Sequence, residues 1–143
     1  MEIREYTNYK ETEILRLYNS VGWTAYTDNP ETLRLGFKNS LRVLAAYEGE
    51  ELLGLIRAVG DGYTILYIQD ILAFPEHQRE GIGSALIKAL IEQFSKVRQI
   101  VLSTDAIPKN IAFYFEHLLF ILSLYIFEYC LALSSSSFFL LYS

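Results

Sequence analysis

Cysteine is almost missing from this chain. Cys130 is the only one in 143 residues, so no intramolecular disulfide can form. Neither Cys130 nor the two histidines, His77 and His117, stand at metal-ligand spacing, and no metal site is expected. No serine–histidine or cysteine–histidine pairing suggests a covalent enzyme intermediate. These absences exclude a disulfide-stapled secreted domain and point to a reducing, cytoplasmic setting. The opening MEIREYTNYKE lacks the apolar stretch of a signal peptide. No internal repeat marks a solenoid. Basic charge is scarce: 12 Lys and Arg against 17 Asp and Glu give a formal net charge of −5. That balance argues against nucleic acid or an anionic membrane as the main partner, while leaving room for a local anion pocket.

The scarcity is sharpest at the end. From Phe115 onward the chain has no Lys or Arg, and only Glu116 and Glu128 carry charge. The apolar run there is shorter than the ~20 residues a spanning helix needs, and Glu128 interrupts it. Its Phe, Ile, Tyr and Leu content suits two buried strands; these, or a divergent ending whose composition was never selected for this fold, are expected in place of an anchor. The whole chain, 1–143, is expected to be one domain with an atypical tail over 115–143. An apolar, charge-poor tail also invites a second copy, and a homodimer is a further expectation.

What is present has a clear order. NYKETEILRLYNSVGW places Ile14, Leu17, Tyr18 and Val21 on one helical face. DNPETLRLGF opens a second helix, with Asn29 as cap and Pro30 at the first helical position. LRVLAAYEGEELLGLIRAV reads as strand, turn over residues 48–51, strand. GDG, residues 60–62, reads as a tight hairpin turn into a long β-rich run, YTILYIQDILAF. In IGSALIKALIEQFSKV, one side carries Ile82, Ala85, Leu86, Ala89, Leu90, Phe94 and Val97, an amphipathic helix packed on a sheet. QIVLSTD is a short strand, and Pro108 opens a further helix. The sum is an α+β or mixed α/β sandwich, with a central, mostly antiparallel sheet flanked by helices.

The chemistry lies in QREGIG, residues 78–83, between the β-rich run and the amphipathic helix. The first N–H groups of a helix have no partners within it, and the helix dipole adds positive charge there. Gly81 and Gly83 let backbone approach an anion closely, and Arg79 adds a cation, so the motif can cradle a diphosphate. A plain glycine turn is the competing reading. The dinucleotide fingerprint lacks its third glycine, because Leu86 holds that place, and GIGSAL lacks the lysine of a nucleotide-hydrolase loop.

The stretch ILAFPEHQREGIGSALI closely resembles the cofactor-binding signature of the GNAT N-acetyltransferase superfamily: a strand, then Gln/Arg-x-x-Gly-x-Gly/Ala, then an amphipathic helix. The order of elements matches that family as far as about Tyr114. The resemblance implies a GNAT-like fold and acetyl-CoA as acetyl donor, with an amine-bearing small molecule or peptide as acceptor. It implies that Gln78, Arg79, Glu80, Gly81, Ile82, Gly83 and Ser84 hold the coenzyme A pyrophosphate. Leu72 and Phe74 would pair with the pantetheine arm through main-chain groups, and Asn110 would also contact the cofactor. Tyr114, in NIAFY, falls where family members place the acid that protonates the leaving thiolate. The tail departs from the pattern, with Leu119 in FYFEHLLF where the family has a helix-ending glycine. A non-catalytic coenzyme A-binding module is therefore the alternative reading.

Strand alternation puts Asp70 on one face with Ile68 and Leu72, a carboxylate in apolar company suited to be a base. An Asp paired with Arg57 of the preceding strand is the competing reading. Trp23, Tyr26 and Asp28 fall in the loop that covers the acceptor in the family. There they would receive an amine through aromatic faces and charge, although Trp23 is equally suited to core packing.

Overall fold

The computed structural model describes residues 1–104, residue 112 and the backbone of two later strands, Tyr129–Ser134 and Ser137–Tyr142. Helix α1 is Glu11–Ser20 and buries Ile14, Leu17 and Tyr18, the face expected from their spacing. Helix α3 is Pro30–Lys38; the Asn29 side chain accepts from Thr32 N–H at 3.1 Å, the cap expected there. Between them Thr24–Thr27 forms a single extra turn, α2, where the sequence suggested only a loop.

Among the described residues seven strands make one sheet in the order β1-β2-β3-β4-β5-β7-β6. These are β1 Glu2–Glu5, β2 Arg42–Glu48, β3 Glu51–Gly60, β4 Ile65–Ala73, β5 Gln99–Thr104, β6 Tyr129–Ser134 and β7 Ser137–Tyr142. Every neighbouring pair is antiparallel except β4 and β5. That one parallel pair is bridged by helix α4, Ile82–Gln93, because a parallel connection must cross from one end of the sheet to the other. Strand β1 was not expected; four residues with alternating exposure gave too little pattern. The β3–β4 connection is also longer than the tight hairpin expected. Asp61 accepts from the N–H groups of Tyr63, Thr64 and Ile65 and from the Thr64 hydroxyl, pinning a four-residue loop. The Thr64 hydroxyl, followed by those N–H groups, holds the Asp61 carboxyl well below the ordinary range.

The sheet has an apolar layer on each face. Helix α4 covers one, burying Ile82, Leu86, Ile87, Leu90 and Ile91 against Leu44, Ile56, Leu66, Ile68 and Leu102. Ile87 and Ile91 widen the stripe beyond the expected face. Helices α1 and α3 cover the other with Ile14, Leu17, Tyr18, Leu33 and Phe37, over Val43, Leu55, Leu72 and Phe74. Each such side chain contributes roughly 1.5–3 kcal/mol through burial. The two strands expected in the tail are there as β6 and β7, with β7 lying between β5 and β6. The helix expected from Pro108, with Asn110, Tyr114 and His117, falls outside the described residues, apart from Ala112.

One glycine of β3 sets the spacing of the sheet. A Cβ on Gly54 would lie 2.4 Å from the Leu72 carbonyl oxygen and 3.0 Å from Ala73 Cα. Both are backbone atoms of β4, so nothing flexible can give way. Gly54→Val is expected to cost about 3 kcal/mol of stability, measured by urea unfolding. A midpoint equal to that of the native chain would contradict this close approach.

Candidate active site

Strands β4 and β5 part company halfway along. Their parallel register runs from Ile65↔Gln99 to Ile68↔Leu102 and stops. Beyond it β4 stays with β3 as far as Gly54↔Ala73, while β5 goes on with β7 at Ser103↔Phe139 and Thr104↔Phe138. The divergence starts at a β-bulge. Arg57 pairs with Asp70 and Ala58 with Ile68, so Gln69 is an extra residue. An extra residue bends its strand and increases its twist, which turns β4 away from β5. A fork results, one side of which is a strand edge without a partner among the described residues.

The register decides which main-chain groups line that edge. Phe74 N–H donates to Leu53 carbonyl oxygen at 3.0 Å, toward β3. Alternate residues of an antiparallel strand face alternate sides, so Leu72 also turns to β3. The main-chain groups of Ile71 and Ala73 therefore face the fork. This corrects the expectation for Leu72 and Phe74, whose side chains are buried under α1 and α3. Ile71 and Ala73 were missed because the choice between odd and even residues depends on pairing with a distant strand.

Just past the fork lies the glycine loop. Gln78, Arg79, Glu80 and Gly81 are exposed. Arg79 has φ +72°, the one non-glycine among the described residues with positive φ, and Gly81, the N-cap of α4, has φ +81°. Left-handed residues in such a turn gather successive N–H groups into an anion-binding concavity. The first helical bond runs from Ala85 N–H to Gly81 carbonyl oxygen at 3.0 Å, and no side chain among the described residues caps the helix. The N–H groups of residues 79–84 thus have no acceptor among the described residues. A Cβ at Gly81 would meet nothing within 4 Å, so the space over the loop is open. His77 Nδ1 lies 3.2 Å from Glu80 Oε2. The donors and the opening fit a diphosphate.

On the α1/α3 face of the fork a charged pair is buried. Asp70 is 1% exposed and Arg57 6%. Tyr18 hydroxyl donates to Asp70 Oδ2 at 2.7 Å, and Arg57 Nε donates to the same oxygen. Asp70 Oδ1 has no partner among the described residues. Arg57 also stands over the Phe37 ring, 5.4 Å from its centroid. Burial works against the Arg57 charge, yet the Asp70 carboxylate outweighs it and raises the guanidinium above its ordinary value. Burial, and then the Asp70 charge, push the Tyr18 phenol well above its ordinary 10.0.

The bulge also corrects the face assigned to Asp70. Ile68 packs under α4, while Asp70 meets Tyr18 of α1 on the opposite side. The extra residue at Gln69 breaks the alternation that put them together. Of the two readings of Asp70, the pairing with Arg57 is the one the geometry shows.

Trp23 and Tyr26 stack, with ring centroids 5.7 Å apart and 26° between planes. Both meet Tyr18, at 6.0 and 5.5 Å. Trp23 is exposed and Asp28 caps α2. Gln69 Nε2 donates to Tyr26 hydroxyl at 3.4 Å, and Tyr67 hydroxyl lies 2.7 Å from Ser103 Oγ. The structure thus brings Trp23, Tyr26 and Asp70 around Tyr18, and adds Tyr67, Gln69 and Ser103, for which the sequence carried no signal. No three His, Cys, Asp or Glu side chains among the described residues could hold a metal ion. No described helix is long and apolar enough to cross a membrane.

The sequence and the fold both have known relatives. The chain is similar to a GNAT-family acetyltransferase of Streptococcus pneumoniae, 34% identical, TM-score 0.73, over 94% of this chain and 98% of that one. It is similar in fold to the PaiA N-acetyltransferase of Thermoplasma acidophilum, solved in complex with coenzyme A. That protein is 15% identical with a TM-score of 0.74, over 99% of this chain and 98% of that one. An uncharacterised N-acetyltransferase of Pyropia yezoensis is 27% identical over 107 residues, 71% of this chain. The match spans 60% of that curated relative's length. The acetyltransferase (GNAT) family profile matches residues 9–118. The chain belongs to the GNAT family of acetyltransferases.

Proposed function

We propose that this chain transfers an acetyl group from acetyl-CoA to an amine by direct attack, without a covalent enzyme intermediate. The observation that carries the reading is the run of N–H groups over residues 79–84 without partners among the described residues, set beside a strand edge that is likewise open among them from Gln69 onward. In this reading Arg79, Glu80, Gly81, Ile82, Gly83 and Ser84 hold the pyrophosphate through their N–H groups, with Gln78 at the loop's entrance. The Arg79 guanidinium adds charge to the dipole of α4. The amide groups of the pantetheine arm suit the free edge of β4, which offers Ile71 and Ala73 as strand-like partners. When bound, acetyl-CoA supplies an activated acetyl group. An edge N–H pointing into the fork stabilises negative charge developing on its carbonyl oxygen.

The acceptor approaches from the α1/α3 face, past Trp23 and Tyr26, whose ring faces suit an ammonium or an apolar amine body. Asp70 is a positioning group, since a carboxylate already paired with a guanidinium inside the core holds Tyr18 and α1 against β4. The amine must still lose a proton, because an ammonium with a pKa near 10.4 has no free lone pair. Water at the open fork takes that proton. By the family resemblance Tyr114 is the acid for the leaving thiolate and Asn110 a cofactor contact.

The test is calorimetric titration with acetyl-CoA, followed by thiol release with a panel of amines. Binding with amine-dependent release that falls in Tyr114→Phe supports the reading. Binding with no release for any amine favours a coenzyme A-binding module, and no binding sinks both.

A further inference from the structure

The two faces of the sheet meet only at the fork. Helix α4 and its glycine loop lie on one face, while α1, α2 and the polar cluster lie on the other. The side chains on that second face belong to a short row. Tyr67 alternates with Leu66 and Ile68, which pack under α4, so it projects to the α1/α3 side. Ser103 does the same beside Leu102 on β5, and the two hydroxyls meet at 2.7 Å. Tyr67, Ile68 and Gln69 alternate, so Gln69 projects to the α1/α3 side like Tyr67. There it meets Tyr26, and the bulge turns Asp70 to the same face. Two adjacent polar residues on one side of a strand are costly unless something uses them. Asp70 is used in the core; Gln69 and Tyr67 are half-buried at the mouth of the fork.

We infer that Gln69 and Tyr67 bind the acceptor amine and aim its lone pair into the fork, an inference that rests on the acetyltransferase reading. The chemistry of the two sites is complementary. Gln69 spends Nε2 on Tyr26, and its Oε1 has no partner among the described residues, so it accepts an N–H of the amine. Tyr67 and Ser103 hold two hydroxyl protons between them but share one hydrogen bond. One hydroxyl proton is left over to donate to a polar atom of the acceptor. Neither group is charged, and the Asp70 carboxylate beside Gln69 is already matched by Arg57. Such a floor favours the neutral, free-base amine over its ammonium, which is the form that reacts.

The experiment uses the chain's single tryptophan. Trp23 stacks on Tyr26, which Gln69 touches, so its emission reports occupancy of this face without requiring turnover. The full chain, saturated with coenzyme A, is titrated with n-butylamine, benzylamine and glycinamide. Native chain, Gln69→Leu and Tyr67→Phe are compared, each also titrated calorimetrically with acetyl-CoA. The expected result is a saturable response at pH 9 to at least one amine, weaker at pH 6. Each variant should weaken it by about 10-fold, the worth of one hydrogen bond, with acetyl-CoA affinity within about 2-fold of native. In steady-state assays the loss should appear in KM for the amine and not in KM for acetyl-CoA.

Amine affinity unchanged in both variants overturns the inference. So does loss of acetyl-CoA affinity in parallel with amine affinity, since that marks a structural role for the bulge. A native chain that binds acetyl-CoA yet gives no response to any amine also overturns it, while leaving the cofactor site standing. Failure to bind acetyl-CoA defeats the underlying reading instead.

Discussion

Replacing Asp70 with alanine should lower the stability of the chain by about 3–5 kcal/mol, the range for breaking one side of a buried ion pair. Arg57 is 6% exposed and would keep its charge in the core with no anion beside it. Tyr18 would lose the acceptor for its hydroxyl at the same time. A fall of roughly 10 °C or more in Tm follows for a domain of this size. The double variant Asp70→Leu with Arg57→Met should recover most of that loss, because removing both charges leaves neither unpaired. Tyr18→Phe alone should cost about 1 kcal/mol. Two results would sink the account: Asp70→Ala melting within about 2 °C of native, or a double variant less stable than both singles.

The same network has a direction in pH. Tyr18 and Arg57 are both raised in the folded chain. A raised group holds its proton more tightly folded than unfolded, so its contribution is complete below its ordinary value. For Tyr18 that value is 10.0, and stability is lost as pH climbs above it. Denaturant midpoints should therefore fall above about pH 10, and fall less in Tyr18→Phe.

Gly83→Glu should abolish acetyl-CoA binding, by more than about 100-fold, while leaving the fold intact. The substitution sits in the first turn of α4, where a glutamate suits both helix propensity and the dipole. Urea unfolding should therefore show no loss of stability, and a small gain is expected. In the same position its carboxylate and bulk occupy the anion site and repel a diphosphate. Stability and binding then move in opposite directions, which a misfolded variant cannot mimic. Calorimetric titration reads the binding side. Native-like affinity in Gly83→Glu would remove the helix N-terminus from the site and return the loop to a plain turn.

Much of the fold was written in local pattern. Ile14, Leu17 and Tyr18 at helical spacing, Asn29 before Pro30, and Gly81 before an apolar-striped helix each act within a few residues. Their conformations follow from capping, sterics and the 3.6-residue period, so no distant contact was needed to read them. The glycine loop belonged to this class, and its turn and the helix after it were legible for that reason.

The polar cluster at the fork was not. Its arrangement turns on one inserted residue at Gln69, which no composition or period announces, because an extra residue in a strand is defined only by its partner across the sheet. That residue parts β4 from β5 and moves Asp70 away from the Ile68 face onto Arg57 and Tyr18, beside Gln69. It was the same register, seen at Phe74 and Leu53, that turned Ile71 and Ala73 toward the opening in place of Leu72 and Phe74. The sequence by itself determined most of the elements, their buried faces and the glycine turn before α4, since these depend on neighbours in the chain. Tertiary structure alone decided where the sheet opens and which side chains look into it, since hydrogen-bond register between strands depends on residues far apart in the chain.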